Sequence, residues 1–295
     1  MPNTIALGFD NHFVVLDHFK ADILDMSNQS QDEQALESIR LFTSMADMLI
    51  RLTNNFKVNV VSLFKSFKRS ELRMYKESHA ITSRQLLAST AIDLHTYQVV
   101  IPEGMKVPYS DASKKLLDMI SKIELNRLTK SAFVYLNLFT NRTPDEYRNL
   151  TKETVLAIDQ INMVTKADVE KTLNTIFESR PNSNKIVKCS DVIRNMKELN
   201  FVFNEILKFE LVYVELSSKI KEIENIEAKV GAVVKRIQNV QFLDQKFLEL
   251  FHTFVYTLAV QFDMYGAIIH EMQRVEHNFV LSFDVLMNAY IDSEK

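Results

Sequence analysis

A periodic apolar series near the C-terminal end constrains the fold of this chain more than any other feature. From Val192 to Val240, large apolar residues recur every three or four positions without a gap. That spacing places them on one face of a helix, which would be about four times as long as the average helix of ~12 residues. A second series of the same kind runs from Leu248 to Tyr290. The two series predict a long antiparallel helical hairpin with its turn near 239–242, and one continuous helix is the alternative.

The scarcity of turn-forming residues extends the helical prediction to the rest of the chain. The 295 residues include only four glycines and five prolines, and these residue types supply most tight-turn geometries. Sandwiches, barrels, Rossmann folds and P-loop folds are therefore disfavoured. The C-terminal helix would span roughly 70 Å, whereas a compact chain of this size is about 50 Å across. We predict an all-α, elongated helical bundle.

A capping pattern marks the start of a second helix, after a first helix near residues 9–26. Ser30 is followed three positions later by Glu33, which is the spacing of a capping box. Two ends of this helix fit the sequence. It stops at Asn54-Asn55, because asparagine tolerates the left-handed cap conformation, or it continues to about Ser78.

The segment 97–107 carries the clearest strand signal. Strand-forming residues from Val99 to Ile101 precede a Pro-Glu-Gly turn at 102–104, which suits a type I turn. We predict at most a small β-hairpin here. A weaker second strand signal lies at Ile186-Val187.

A cluster of loop-forming residues suggests how the chain divides. Residues 181–184 read Pro-Asn-Ser-Asn, which is typical of a linker. We predict an N-terminal helical domain at 1–180, a linker at 181–189, and a long helical hairpin or coiled coil at 190–295. Ser190 is the expected cap of its first helix.

Charge, cysteine content and hydropathy restrict the surroundings of the protein. The formal net charge is −3, so no overall positive field attracts nucleic acid. Cys189 is the only cysteine, which excludes an intramolecular disulfide and a cysteine-rich zinc site. No uncharged apolar run reaches the ~18 residues of a membrane span, and the first residues do not resemble a signal peptide. We predict a cytoplasmic protein with no membrane partner.

The sequence lacks the motifs of the common enzyme classes. Phosphate-binding glycine loops and the serine-hydrolase elbow are missing. His270 and His277 stand seven residues apart, whereas a zinc-protease helix needs two histidines four apart. We interpret them as surface histidines, and Cys189 as a buried thiol. We therefore assign no catalytic, cofactor-binding or metal residue, and we predict a non-enzyme with no cofactor and no small-molecule substrate.

A row of cations forms a candidate basic patch at 65–76. Its spacing places most of the row on one helix face, where it could contact nucleic acid or an acidic partner. A solvated helix face is the interpretation we favour, because the chain as a whole is acidic. The patch consists of Lys65, Lys68, Arg69, Arg73 and Lys76.

The last apolar series is wider than one helix face needs. Surplus apolar width normally indicates contact with another helix or another subunit. The candidate interface residues are Phe251, Val255, Leu258, Phe262, Tyr265, Ile269 and Met272.

In overall style the chain resembles the helical structural proteins of large tailed bacteriophages. The shared features are 21 asparagines, few glycines, 20 phenylalanines and long capped helices. The segment from Val99 to Leu116 gives the same impression. The resemblance implies a virion component that is made in the host cytoplasm, and it transfers no functional residue.

These observations favour a non-enzymatic structural or assembly protein that binds copies of itself or other proteins through long apolar helix faces. The alternative is an adaptor or regulatory module that binds protein or nucleic acid through the basic patch. Nucleic acid is the less favoured partner.

Overall fold

The structure, a computed structural model, describes residues 10–68, 93–122, parts of 133–139, 166–178, 183–218, 220–237 and 243–293. Helices dominate these residues, and a small antiparallel sheet and a long C-terminal helix complete the architecture, so the all-α prediction is confirmed. The elements are α1 (Asp10–Asp25), α2 (Gln31–Lys68), β1 (Gln98–Pro102), α3 (Tyr109–Lys122), α4 (Lys166–Ile176), β2 (Asn184–Lys188), α5 (Met196–Ser218), α6 (Ile220–Ile237) and α7 (Gln245–Ser293).

The chain groups into two compact units, and each is assembled from three separate segments. This division differs from the predicted boundaries at 1–180 and 190–295, and the predicted linker at 181–189 contains β2. Unit 1 comprises Met1–Asn59, Glu124–Met163 and Ser218–Gly266, and unit 2 comprises Val60–Ile123, Val164–Ser217 and Ala267–Lys295.

Helix α2 begins at the predicted capping box and passes the possible stop at Asn54-Asn55. The alternative end near Ser78 lies outside the described residues. The backbone N–H and the hydroxyl of Ser30 both donate to the carboxylate of Glu33, at 3.1 Å and 2.7 Å. The helix then continues past Asn54-Asn55 to Lys68. Leu52, Phe56 and Val60 are all buried. Because residues on both sides of the asparagine pair are buried, packing favours continuation of the helix where local propensity would allow it to end.

Aromatic rings fill the core of unit 1. Phe42 of α2 lies 4.7 Å from Phe251 of α7, measured between ring centroids. Further along both helices, Phe56 stacks on Phe262, and the two ring centroids are 4.6 Å apart. Phe139 adds an edge-on contact to Phe251 at 5.2 Å. The first pair is tilted, whereas the second is stacked and the third is edge-to-face, the two arrangements that aromatic pairs prefer.

The small sheet of unit 2 joins two distant parts of the chain. Strand β1 forms where the sequence predicts it, but it pairs with β2 and not with residues 105–107. Gly104 adopts a positive φ of 72°, and the chain after it turns towards α4. There Lys106 donates its N–H to the carbonyl of Ile176 at 2.8 Å. Residues 105 and 106, which would belong to the second strand of a local hairpin, therefore pair with the end of α4 instead.

The helices of the C-terminal region are separate elements. Leu243 and Asp244 are not helical, so the alternative of one continuous helix is excluded. The Leu243 N–H donates to the Ser38 hydroxyl at 3.1 Å, and the Asp244 side chain accepts from the Lys246 N–H at 2.9 Å. The predicted turn at 239–242 lies outside the described residues.

The cap at the start of α5 differs from the predicted one. The helix begins at Met196, and Ser190 belongs to a short 3-10 turn that precedes it. Asn195 caps the helix, because its side-chain oxygen accepts the N–H of Glu198 at 3.0 Å. Asparagine is one of the preferred N-cap residues.

Candidate functional site

The seven candidate interface residues on α7 lie in the interior of the chain. Each is at most 4% exposed. Within unit 1, Phe251 packs on Phe42, and Phe262 and Tyr265 pack on Phe56. The surplus apolar width of α7 is therefore covered by other parts of the same chain. This result corrects the assignment of Phe251, Val255, Leu258, Phe262, Tyr265, Ile269 and Met272 to an interface with another subunit.

Only part of the candidate basic patch falls within the described residues. Lys65 and Lys68 are helical residues near the end of α2. Arg69, Arg73 and Lys76 lie outside the described residues, so the patch stays a prediction.

A different apolar row is exposed on α5, within unit 2. Leu211 is 70% exposed, Val214 is also exposed, and Leu207 is half-buried. The spacings of four and three place these side chains on one helix face. We call Leu207, Leu211 and Val214 the α5 apolar face. Phe201, a further exposed ring, lies on the same helix.

The sequence contains the signal for the α5 apolar face, although sequence analysis missed it. The apolar series there follows Ile206, Phe209 and Tyr213, which are buried. Leu207 and Leu211 form a second row beside the first, so α5 is apolar on more than one face. A second row on a helix that already has a core-facing row is the pattern to look for.

Charged side chains flank the α5 apolar face. Lys208 is exposed and forms an ion pair with Glu205 on the same helix. Glu215, four residues after Leu211, is also exposed. The face therefore has the Lys208–Glu205 ion pair on one side of Leu211 and the Glu215 carboxylate on the other.

A buried carboxyl group lies between α5 and α7 in unit 2. Glu276 is 6% exposed, and its Oε2 accepts a hydrogen bond from the Tyr213 hydroxyl at 2.9 Å. Among the described residues, its Oε1 has no hydrogen-bond partner. Burial raises the pKa of Glu276 to about 7, and the Tyr213 hydrogen bond opposes this rise. The carboxyl group is thus substantially protonated near neutral pH.

A second buried polar contact joins the sheet to α3 and α7. The Tyr109 hydroxyl donates to the Val100 carbonyl and lies 3.2 Å from the Ser282 hydroxyl. The Ser282 hydroxyl is itself 3.1 Å from the same carbonyl. Burial raises the pKa of the Tyr109 phenol. These enclosed hydrogen bonds hold β1 against α7, so we assign them a structural role.

The segment around the two histidines has exposed and buried sides. His270 and His277 are exposed, as the sequence interpretation expects. The neighbouring Glu271 is buried, and its carboxylate accepts from Arg274 at 2.9 Å. The Arg274 guanidinium also lies over the Phe177 ring, 5.2 Å from its centroid. Glu271, which follows His270 directly in the sequence, is therefore a partner of arginine.

The single cysteine of the sequence is enclosed. Cys189 is buried, and burial raises the pKa of its thiol to about 12. A thiol with so high a pKa carries almost no thiolate at neutral pH, and the thiolate is the nucleophilic form. Among the described residues, no group of three or more histidine, cysteine, aspartate or glutamate side chains is placed to hold a metal ion.

Comparison with known proteins gives no match to a family model, a curated protein or a solved structure. In the described ranges, no helix combines the length and the hydropathy that crossing a membrane requires.

Proposed function

We propose that the protein is a non-enzymatic component of a larger assembly and that it associates with a second copy of itself through the α5 apolar face. The exposure of Leu211 and Val214 at helical spacing carries this proposal. Single exposed apolar residues are ordinary on protein surfaces. A row of them along one helix is the pattern that packs on another helix, and full burial stabilises each side chain by roughly 1.5–3 kcal/mol.

The charges beside the face favour a second copy as the partner. Lys208 lies three residues before Leu211, and Glu215 lies four residues after it. Two α5 helices that pair antiparallel about Leu211 would bring each Lys208 close to the Glu215 of the other copy. A two-fold interface of this kind is self-complementary, as closed dimers require.

Light scattering during size-exclusion chromatography tests the proposal. The wild-type chain should elute as a dimer or a larger species at micromolar concentration. Leu211→Glu should shift it to the monomer mass, because a carboxylate would replace an apolar contact at the centre of the face.

The matched control is Leu36→Glu on α2. Leu36 is 77% exposed, close to the exposure of Leu211, and it lies outside the α5 apolar face. The control should keep the wild-type mass. A monomeric wild-type chain, or equal behaviour of the two variants, would overturn the proposal.

Two narrower hypotheses stay predictions. A virion role follows from the resemblance to phage structural proteins, and capsid, tail or portal genes beside the coding gene would support it. The adaptor hypothesis depends on the basic patch, and loss of nucleic-acid binding on changing Lys65, Arg69 and Arg73 to glutamate would support it. A cytoplasmic location likewise stays a prediction.

A further inference from the structure

The hydrogen-bond pattern of the sheet shows which backbone groups of β2 face away from β1. Cys189 donates its N–H to the Tyr97 carbonyl at 2.8 Å, and Glu103 donates to the Ser183 carbonyl at 3.1 Å. In an antiparallel ladder, hydrogen-bonded pairs alternate with pairs whose backbone groups point outwards. Counting inwards from both ends, the pairs with outward groups are Gln98 with Lys188, Val100 with Ile186, and Pro102 with Asn184.

Two of the three outward positions of β1 have fewer backbone groups available for pairing. The Val100 carbonyl, which the alternation directs away from β2, accepts from the Tyr109 hydroxyl and lies near that of Ser282. Pro102 has no N–H to satisfy, and it occupies one of the outward positions where proline is tolerated. Val100 and Pro102 therefore offer fewer backbone groups to a further strand than the corresponding positions of β2.

Among the described residues, the outward side of β2 has no partner strand. We call the outward backbone groups of Asn184, Ile186 and Lys188 the β2 edge. Within the described part of the chain, no backbone hydrogen bond is made by the β2 edge. The strand is exposed along most of its length, and Ile186 is 66% exposed. An open row of N–H and C=O groups is a template for a further strand.

The charges of β2 select among the strands that could be added. Lys185 and Lys188 are its only charged residues. Lysines on an edge strand normally discourage pairing, and a second copy of β2 would add two more cations to the same short ladder. An incoming strand that carries carboxylates would instead form opposite-charge pairs across the ladder, which are favourable.

We propose that the β2 edge binds an extended acidic segment of a partner protein as an additional antiparallel strand. Read along the partner, the fitting pattern is an acidic residue opposite Lys188, an apolar residue opposite Ile186, and an acidic residue opposite Lys185. Main-chain hydrogen bonds supply affinity, and the flanking charges supply selectivity. This surface is independent of self-association through the α5 apolar face.

The probe for the test is a fluorescein-labelled peptide, acetyl-Thr-Glu-Thr-Val-Glu-Thr-amide, with a second peptide in which lysine replaces both glutamates. Fluorescence anisotropy with the full chain measures binding of each. The acidic peptide should bind about tenfold more tightly than the basic peptide. No detectable binding of the acidic peptide up to millimolar protein would overturn the proposal.

Two substitutions at one position separate backbone pairing from attraction to a basic surface. Ile186→Pro removes an outward N–H and leaves the ladder to β1 intact, because that N–H does not face β1. Ile186→Ala keeps the N–H and is the matched control. The proline variant should bind the acidic peptide about tenfold more weakly than the alanine variant. Equal affinities of the two variants would overturn strand addition.

A charge reversal provides a readout that does not depend on proline. The double variant Lys185→Glu/Lys188→Glu should prefer the basic peptide over the acidic one. Circular dichroism should give the same helix content for all variants. An unchanged preference for the acidic peptide would overturn the role of the two lysines.

Discussion

Two sites on α7, the ring cluster of unit 1 and the buried carboxyl group of unit 2, differ chemically. In unit 1, the first half packs largely through rings, with Phe251 against Phe42 and Phe262 against Phe56. It also buries the polar side chains of His252, Gln261 and Asp263. In unit 2, the second half buries polar groups, among them Glu276 with its Tyr213 hydrogen bond. One helix with one apolar periodicity therefore contributes both ring contacts and buried polar groups to the interior.

The difference shows which interactions each core depends on. Apolar contacts are weakly directional, so the cost of truncating a ring depends on the volume that is lost. A buried polar group depends on one partner in one geometry, because an unpaired group in the interior is costly. Substitutions of rings in unit 1 should therefore change stability at every pH, whereas substitutions at a buried ionisable group, such as Glu276 in unit 2, should act through protonation or through a single hydrogen bond.

The largest expected effect is the truncation of a ring in unit 1. Phe251→Ala should lower the free energy of unfolding by about 3–5 kcal/mol, because Phe251 is fully buried against Phe42 and Phe139. Urea denaturation measures the loss. Tyr256→Ala, at a partly exposed ring on the same helix, should cost clearly less. Equal losses would mean that burial does not set the cost.

The second prediction concerns the buried carboxyl group of unit 2. A raised pKa means that the folded state holds the proton of Glu276 more tightly than the unfolded state does. The resulting stabilisation is complete below the ordinary pKa of about 4.5 and is lost as the pH rises to about 7. Glu276→Gln, which stays neutral, should match the wild type near pH 4.5. At pH 8 it should be more stable by roughly 3 kcal/mol.

Urea denaturation at several pH values checks this prediction. The control is Glu249→Gln, an exposed carboxylate on the same helix, which should keep the pH dependence of the wild type. A constant difference between Glu276→Gln and the wild type from pH 4.5 to pH 8 would contradict the protonation of the buried carboxyl.

The smallest effects come from removing single hydroxyl groups in unit 2. Tyr213→Phe should cost about 1–3 kcal/mol, because it removes the hydrogen bond to Glu276 Oε2. Tyr109→Phe should cost about 1 kcal/mol or less, since the Val100 carbonyl keeps the Ser282 hydroxyl nearby. Thermal unfolding of the two variants measures the difference. The reverse order would show that Ser282 does not substitute for Tyr109.

Periodicity in the sequence predicted which parts of α7 are buried, but not what buries them. The apolar series from Leu248 onwards matches the buried face of the helix. Glu271 and Glu276 are charged residues next to that series, and nothing in the sequence indicates that they are buried. Their burial depends on Arg274 and on Tyr213, and the Tyr213 contact bridges 63 positions. Such a pairing leaves no local signal.

The sheet illustrates the same limit. Strand propensity located β1, and it gave a weak signal at Ile186-Val187 inside β2. The choice of partner depends on where the chain travels after Gly104, which is decided by contacts with α4. Local turn chemistry favoured a hairpin, and tertiary contacts favoured a distant strand.

The sheet has a consequence for the order of folding. Its two strands are separated by about 80–90 residues along the chain, so the entropy of closing a long loop must be overcome before any rung forms. Helices with local contacts should form earlier. The β2 edge then exists only when unit 2 is folded. A partner that adds a strand there would bind folded molecules and would not bind incompletely folded ones.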